Sequence, residues 1–399
     1  MSVASVVHLQ QLAAVLVAHQ PLWRVPPFHC RQLPWAEAYP ALAALVSGLN
    51  EAECEQLERE PQQLTALLGP LVEGNVDWSA LLMVDELAVP IEPSPPAWLA
   101  SGVGGRKWGQ ISAFAAAVDG GRQQPLLEWC AGKGHLGRLL AWQGKGPLQS
   151  LEWQPQLCAE GQQLATAAAL PQQFVCGDVL AADSDRHLRG VAGVVALHAC
   201  GDLHGRLLHH AVSQRLPELW LAPCCYHLTT ASHYQPFSEY WPDALHLRRD
   251  ELQLAVQESA TGGARIDRLR WRERQFRLAF DALQRQLRGV NAYLPVPSVA
   301  KSLISGSFAD FARWAAERKG LRLPAVVDDH HWLAEGERRL LLVARLELVR
   351  HLFRRPLELL LVLDRLLYLQ QAGYQVSLHT FCERQLSPRN LLLHARRST

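Results

Sequence analysis

The spacing of apolar positions changes three times along the chain. From residue 1 to about 97 it follows the helical period, over Val6 to Ala18 and Ala36 to Leu49. Asn50 with Glu53 three residues on predicts a capped helix that stops before Pro61. Prolines at 90, 93, 95 and 96 predict a stiff linker and a domain boundary near residue 97. Short apolar runs then alternate with helical stretches. Strands are predicted at Pro125 to Trp129, Leu148 to Trp153, Phe174 to Cys176, Gly193 to His198 and Glu218 to Ala222, with helices at Gly109 to Val118 and Gln154 to Leu170. Such alternation predicts an α/β fold with a doubly wound, Rossmann-like parallel sheet.

From 230 to 334 the alternation gives way to a largely helical insertion. Its longest helix, Gly263 to Gly289, carries an apolar stripe of Ile266, Leu269, Phe276, Phe280, Leu283 and Leu287. Eight arginines (265, 268, 270, 272, 274, 277, 285 and 288) occupy its other faces. A solvated arginine face is the ordinary explanation and an RNA-contacting one the alternative. His330 and His331 are expected in a solvent-facing loop. Residues 335 to 399 return to the sheet domain, with helices at Gly336 to Arg354 and Pro356 to Gln371 and a closing hairpin of YQVSLHTFC and NLLLHAR whose last strand is antiparallel. The expected domains are therefore 1–97, 98–229, 230–334 and 335–399, the second and fourth forming one core.

The stretch LLEWCAGKGHLG, residues 126 to 137, reads as a strand turning through Cys130, Ala131, Gly132, Lys133 and Gly134 into a helix. Glycines there let a ligand approach the backbone, and the helix aims its free amides at the same place. Gly132, Gly134 and Gly137 also satisfy G-x-G-x-x-G, so the loop alone allows NAD and an oxidoreductase. A Walker loop is excluded, because Lys133 is followed by glycine. Glu152, before Trp153 at the end of the second strand, is spaced to grip a ribose. Asp178, with the Val179 amide after the third strand, suits an adenine amine, and Glu128 suits a cationic methionine end. The three acids together favour S-adenosylmethionine over NAD.

Balanced charge, formally +1, and 49% hydrophobic residues describe an ordinary cytoplasmic protein with no global field for nucleic acid. Nine cysteines, an odd number scattered through predicted elements, read as reduced thiols. No signal peptide is expected at the N-terminus. The apolar run Leu357 to Leu369 is short for a membrane span and contains Glu358, Asp364 and Arg365. No obligate protein partner is evident.

VVALHACGDL places His198, Ala199, Cys200 and Asp202 at the end of the fourth strand, and LWLAPCCYHL places Cys224, Cys225, Tyr226 and His227 beside them. The favoured reading is a wall where Asp202, Tyr226 or His227, with His198 and Cys225, orients or deprotonates a nucleophile. The alternatives are small apolar fillers and a metal site. No metal is expected, because H-x-C and C-C-x-H lack the C-x-x-C pairs of strong zinc motifs.

With LLEWCAGKGHLG, LHACGDL, APCCYHL and SPRNLLLHAR in that order, the chain resembles a methyltransferase-domain family that includes methyltransferase-like and glutathione S-transferase C-terminal-domain-containing proteins. It is more distantly similar to tRNA 2′-O-methyltransferases of the acceptor stem. The resemblance covers residues 98 to 229 and 335 to 399. It implies the class I methyltransferase fold, S-adenosyl-L-methionine as cofactor and RNA as the favoured substrate. A protein or small-molecule substrate, or a cofactor-binding protein without turnover, are the other readings. GGRKWGQ, with Arg106 and Lys107, resembles the basic stretch before the first strand in these relatives, which implies a contact to cofactor carboxylate or substrate phosphate. Two positions depart from the pattern: Cys130 replaces the usual first loop glycine, and C-C-Y-H replaces C-C-H-H.

Overall fold

The computed structural model describes all residues except 1, 2, 73, 75, 90–92, 258–263 and 399, and only the backbone of 264–267. Seven apolar runs form one sheet: β1 (Leu126–Trp129), β2 (Leu148–Glu152), β3 (Gln172–Cys176), β4 (Gly193–Cys200), β5 (Glu218–Cys224), β6 (Tyr374–Thr380) and β7 (Leu391–Arg397). Their order is β3-β2-β1-β4-β5-β7-β6. β1 to β5 are parallel, and β7 runs antiparallel between β5 and β6. This is the expected α/β, doubly wound, Rossmann-like sheet with its last strand antiparallel. Its order reverses between β1 and β4, which opens a crevice beyond their carboxyl ends where ligands bind in such sheets.

β1 and β5 are buried along their whole length, because helices cover both faces. The helices Gly105–Ala116 and His135–Trp142 pack Ile111, Phe114, Leu136, Leu139 and Leu140 into the same apolar cluster as Leu126, Leu148 and Trp220.

The chain divides into two units, residues 1–17, 79–257 and 356–399, and residues 18–78 and 258–355. The boundary expected at residue 97 does not coincide with this division. Residues 85 to 87 are the reason: they run along the outer edge of β6, where the Thr380 amide donates to Asp85 O and the Leu87 amide to Thr380 O, both at 2.9 Å. An edge strand with unpaired amides is thereby covered. Residues 90 to 92 of the expected linker lie outside the described residues.

The second unit is helical. Its core gathers Phe276, Phe280 and Leu283 of Ala264–Arg288 with Phe308, Phe311 and Trp332. The capping box is present, with Glu53 N donating to Asn50 Oδ1 at 3.0 Å and Asn50 N to Glu53 Oε2 at 2.7 Å. His330 and His331 are exposed but lie in the first turn of the helix Asp329–Leu352, capped by Asp328, and not in a loop. Leu287, expected on the apolar stripe, is 38% exposed.

Candidate cofactor and acceptor site

At the end of β1 the chain turns at Cys130, whose φ of 59° is left-handed, a conformation that costs a side-chain-bearing residue about 1–2 kcal/mol. Gly132 follows at φ 58°, and a Cβ there would meet nothing within 4 Å, so its outer face opens into space. The Gly132 amide donates to Glu152 Oε2 at 2.9 Å and the Gln154 amide to Glu152 Oε1 at 3.0 Å. The acid at the tip of β2 thus holds the loop of β1. Asp178 is exposed beyond β3 and accepts from the Leu180 amide, with Val179 buried beside it. Burial pushes the Cys130 thiol up to about 12, and the nearby charges of Glu152, Cys200 and Asp178 add to the shift. The tips of β1, β2 and β4 and the turn after β3 therefore share one electrostatic neighbourhood.

Glu128 does not join them. Its carboxylate points beneath the loop, where it accepts from Ser150 Oγ at 2.6 Å and from the Gly137 amide in the first turn of the following helix. A Cβ on Gly137 would lie 2.5 Å from Glu128 Oε2, so only glycine lets helix and carboxylate approach this closely. Glu128 is thus engaged as a partner of the helix terminus. Burial pushes its pKa from 4.5 to about 7, against the Ser150 and Gly137 hydrogen bonds and the charge of Arg138. The folded protein then retains a proton between these values that the unfolded chain has released. The protonated form's stability is complete below pH 4.5 and falls as pH rises through about 7. Glu128→Gln is expected to flatten this fall and to exceed the parent by about 2–3 kcal/mol at pH 8 while matching it near pH 4.5. Urea unfolding at both pH values measures the difference.

Lys133 pairs with Glu160 at 2.6 Å, and Trp153 stands 66% exposed at the tip of β2. Lys107 is exposed in the first turn of Gly105–Ala116, near enough to His135 to help burial and Arg138 lower that imidazole to about 4.

β4 ends in a register shift between Leu197 and Cys200, where His198 adopts φ 68° and stands exposed. Bulges of this kind re-aim side chains beside active sites. Although the residue reaches the surface, partial enclosure of its ring, then the charges of Lys107 and Arg389, lower the His198 pKa and so favour the neutral imidazole. Ala199 is fully buried, and its carbonyl accepts from His204 Nδ1. At the end of β5, Cys225 turns at φ 48°. That turn breaks the strand alternation and sends Tyr226 inward, 3% exposed, its ring under the Arg365 guanidinium at 4.9 Å. Tyr226 is core and not a wall residue.

The motifs of β4 and β5 form a single interlock. The Gly201 amide donates to Cys224 O, the Asp202 amide to Leu228 O, and the Leu228 amide to Cys225 O. Asp202 Oδ2 accepts from the Thr230 amide at 2.9 Å, so this carboxylate fastens the loop after β5. Behind that loop, buried Asp364 accepts from Tyr234 Oη and from the amides of Phe237 and Ser238. Arg365 donates to Tyr234 Oη and to His204 Nε2. Asp364 and Arg365, which interrupt the apolar run 357–369, therefore anchor the segment after β5, a role that sequence spacing could not signal. In front lies a cleft of about 660 Å³ lined by Leu180, Cys200, Asp202, His227, Thr229, Thr230, Arg249 and Gln253, among others.

The arginine helix is a structural face. Arg272 donates to Gly306 O, Arg277 to Val296 O and Pro297 O, and Arg274 pairs with Glu347 at 2.5 Å. Arg285 and buried Arg339 converge on Asp281, and Arg288 donates to Gln284. Arg268 and Arg270 are exposed; the side chains of Arg265 and Ile266 lie outside the described residues. Among the described residues no helix is long and apolar enough to cross a membrane.

Residues 106–232 match a family model described as a methyltransferase domain. Solved structures show weaker likeness. The tRNA (uracil-54, C5)-methyltransferase of Pyrococcus abyssi in complex with S-adenosyl-L-homocysteine is 15% identical with a TM-score of 0.23, over 28% of this chain and 26% of that one. An rRNA methylase from Streptococcus thermophilus is 11% identical with a TM-score of 0.23, over 30% and 71%. The geranyl diphosphate C-methyltransferase of Streptomyces coelicolor A3(2) is 12% identical with a TM-score of 0.23, over 39% and 63%. This chain thus spans about a quarter of the first of these proteins. The matched residues, which are similar to a methyltransferase domain, include all five parallel strands β1 to β5.

Proposed function

We propose that the methyltransferase domain of residues 106–232 is active in this chain and methylates an RNA at the cleft beside β4 and β5. The observation that carries the cofactor site is Glu152, buried at the tip of β2 next to β1, with each oxygen engaged by a backbone amide. A carboxylate accepts about four hydrogen bonds, so capacity is left for both hydroxyls of a ribose. Asp178 and the Val179 amide take the adenine edge. Ala131 to Gly134, with the free amides of the helix starting at His135, take the methionine end, where the open face of Gly132 admits it.

When bound, S-adenosyl-L-methionine supplies an electrophilic methyl carbon on a good leaving group. The chain's part is to position the acceptor and accept its proton. His198, neutral and projecting from the β4 bulge, is the group suited to take that proton. Asp202 and Tyr226 are withdrawn from that role by their bonds to Thr230 and to the core. Phosphate contacts fall to exposed Lys107 at the front and Arg249 in the cleft, and not to the helix Ala264–Arg288, whose arginines are largely consumed within their own unit.

Calorimetry is expected to show binding of S-adenosyl-L-methionine and none of NADH. Tritiated cofactor is expected to label RNA and not protein in a cell extract, and Arg249→Glu to weaken RNA binding with cofactor affinity unchanged. Binding of NADH alone would overturn the cofactor assignment, and label in protein alone the acceptor.

A further inference from the structure

Among the described residues two groups of three metal-ligand side chains converge. Asp119, Glu218 and His394 are already neutralised, because Arg396 bonds both acids at 2.7–2.9 Å and Arg122 bonds Glu218 at 2.7 Å. The other group makes no ion pair, although the Arg389 guanidinium lies near enough to favour the thiolates of Cys200 and Cys225. Cys200 and Cys224 are partners in the β4–β5 register, their sulfurs 3.4 Å apart, and the Cys225 sulfur lies within 4.8 Å of both. Tetrahedral zinc with Zn–S near 2.3 Å needs sulfurs about 3.8 Å apart. Cys225 reaches this position only through a left-handed backbone, a local strain that turns its thiol towards the other two. Two residues on, His227 Nδ1 is buried with no hydrogen-bond partner beside the same cleft. A buried ring nitrogen without a proton donor or acceptor calls for a ligand.

We propose that Cys200, Cys224 and Cys225 bind a zinc ion at the tips of β4 and β5, with His227, whose ring lies outside the three-thiol cluster in this structure, turning in as the fourth ligand. Read along the chain, H-x-C and C-C-x-H argue against a metal; pairing across two strands assembles the set. Zinc would replace the thiol protons, releasing them to solvent, and lock the loop after β5 onto β4 where the acceptor enters. The proposal does not rest on the methyltransferase reading, since the cofactor loop contributes none of the four ligands.

The full-length chain, purified under reductant and freed of metal, is titrated with Co²⁺ and then Zn²⁺. One Co²⁺ per chain is expected, with thiolate charge-transfer and intense tetrahedral d–d bands that Zn²⁺ abolishes. Cys200→Ser and Cys225→Ser are expected to lose charge-transfer intensity, Cys30→Ser to keep it, and His227→Gln to keep it with shifted d–d bands and weaker binding. Circular dichroism and cofactor calorimetry on the same samples report folding and the cofactor site separately. Absence of the thiolate band in the parent chain, its persistence in a folded Cys200→Ser/Cys225→Ser double variant, or a Cys200–Cys224 disulfide in protein isolated from cells would overturn the site.

Discussion

Glu152→Ala is expected to weaken S-adenosyl-L-methionine binding about 100-fold or more. Two ribose hydroxyls lose a charged acceptor, each such bond being worth about 1.5–3 kcal/mol, and a tenfold change in affinity is about 1.4 kcal/mol. The substitution also strands the amides of Gly132 and Gln154, which the carboxylate now ties together, so the loop loses its tether as the ligand loses its partner. Glu152→Gln, whose single carbonyl oxygen can keep one of the two amides while its NH2 opposes the other, is expected to fall between parent and alanine variant. Titration calorimetry of the three proteins, with urea unfolding to show that each is folded, separates the two contributions. Equal affinity in parent and Glu152→Ala would remove the proposed cofactor site.

The largest loss of stability is expected from Gly201→Ala. A Cβ at this position would lie 1.9 Å from Leu228 O, a backbone atom held on both sides of its peptide by the interlock, and φ is 56°. Backbone strain of 1–3 kcal/mol and overpacking of similar size give about 3 kcal/mol or more. For a domain of this size that is a fall of roughly 6–12 °C in melting temperature. The loop carrying His227 to Thr230 must move to relieve the clash, so methyl transfer is expected to fail before cofactor binding does. Thermal melts and cofactor calorimetry on Gly201→Ala test both halves, and a variant that melts within a degree of the parent would contradict the interlock.

The sheet and its loop were legible because their chemistry is local. Strand and helix periods alternate within β1 to β5, the glycines sit at the turn that needs them, and Glu152 and Asp178 lie where the strands end. The direction of Glu128 was not legible, since it depends on Ser150 one strand away and on Gly137 in the next helix. Tyr226 was misplaced for a different reason. Counting alternate residues past the end of β5 assumes extended backbone, and Cys225 is left-handed. The arginine helix looked like a solvated or RNA-contacting face because its partners, Gly306, Val296 and Glu347, lie many residues downstream in segments with no motif. The pairing of residues 85 to 87 beside Thr380 was not legible either, because a proline-rich segment carries no sign of it. Apart from Tyr226, these positions turn on contacts between segments distant in sequence.

The position of β7 between β5 and β6 has a kinetic consequence. β5, ELWLAPC, is apolar and buried throughout, yet the strand that pairs with one of its edges is translated some 170 residues later. A nascent chain leaving the ribosome therefore carries this edge uncovered, and an uncovered apolar edge invites pairing with other chains. Synthesis of Leu391–Arg397 is the event that ends the exposure.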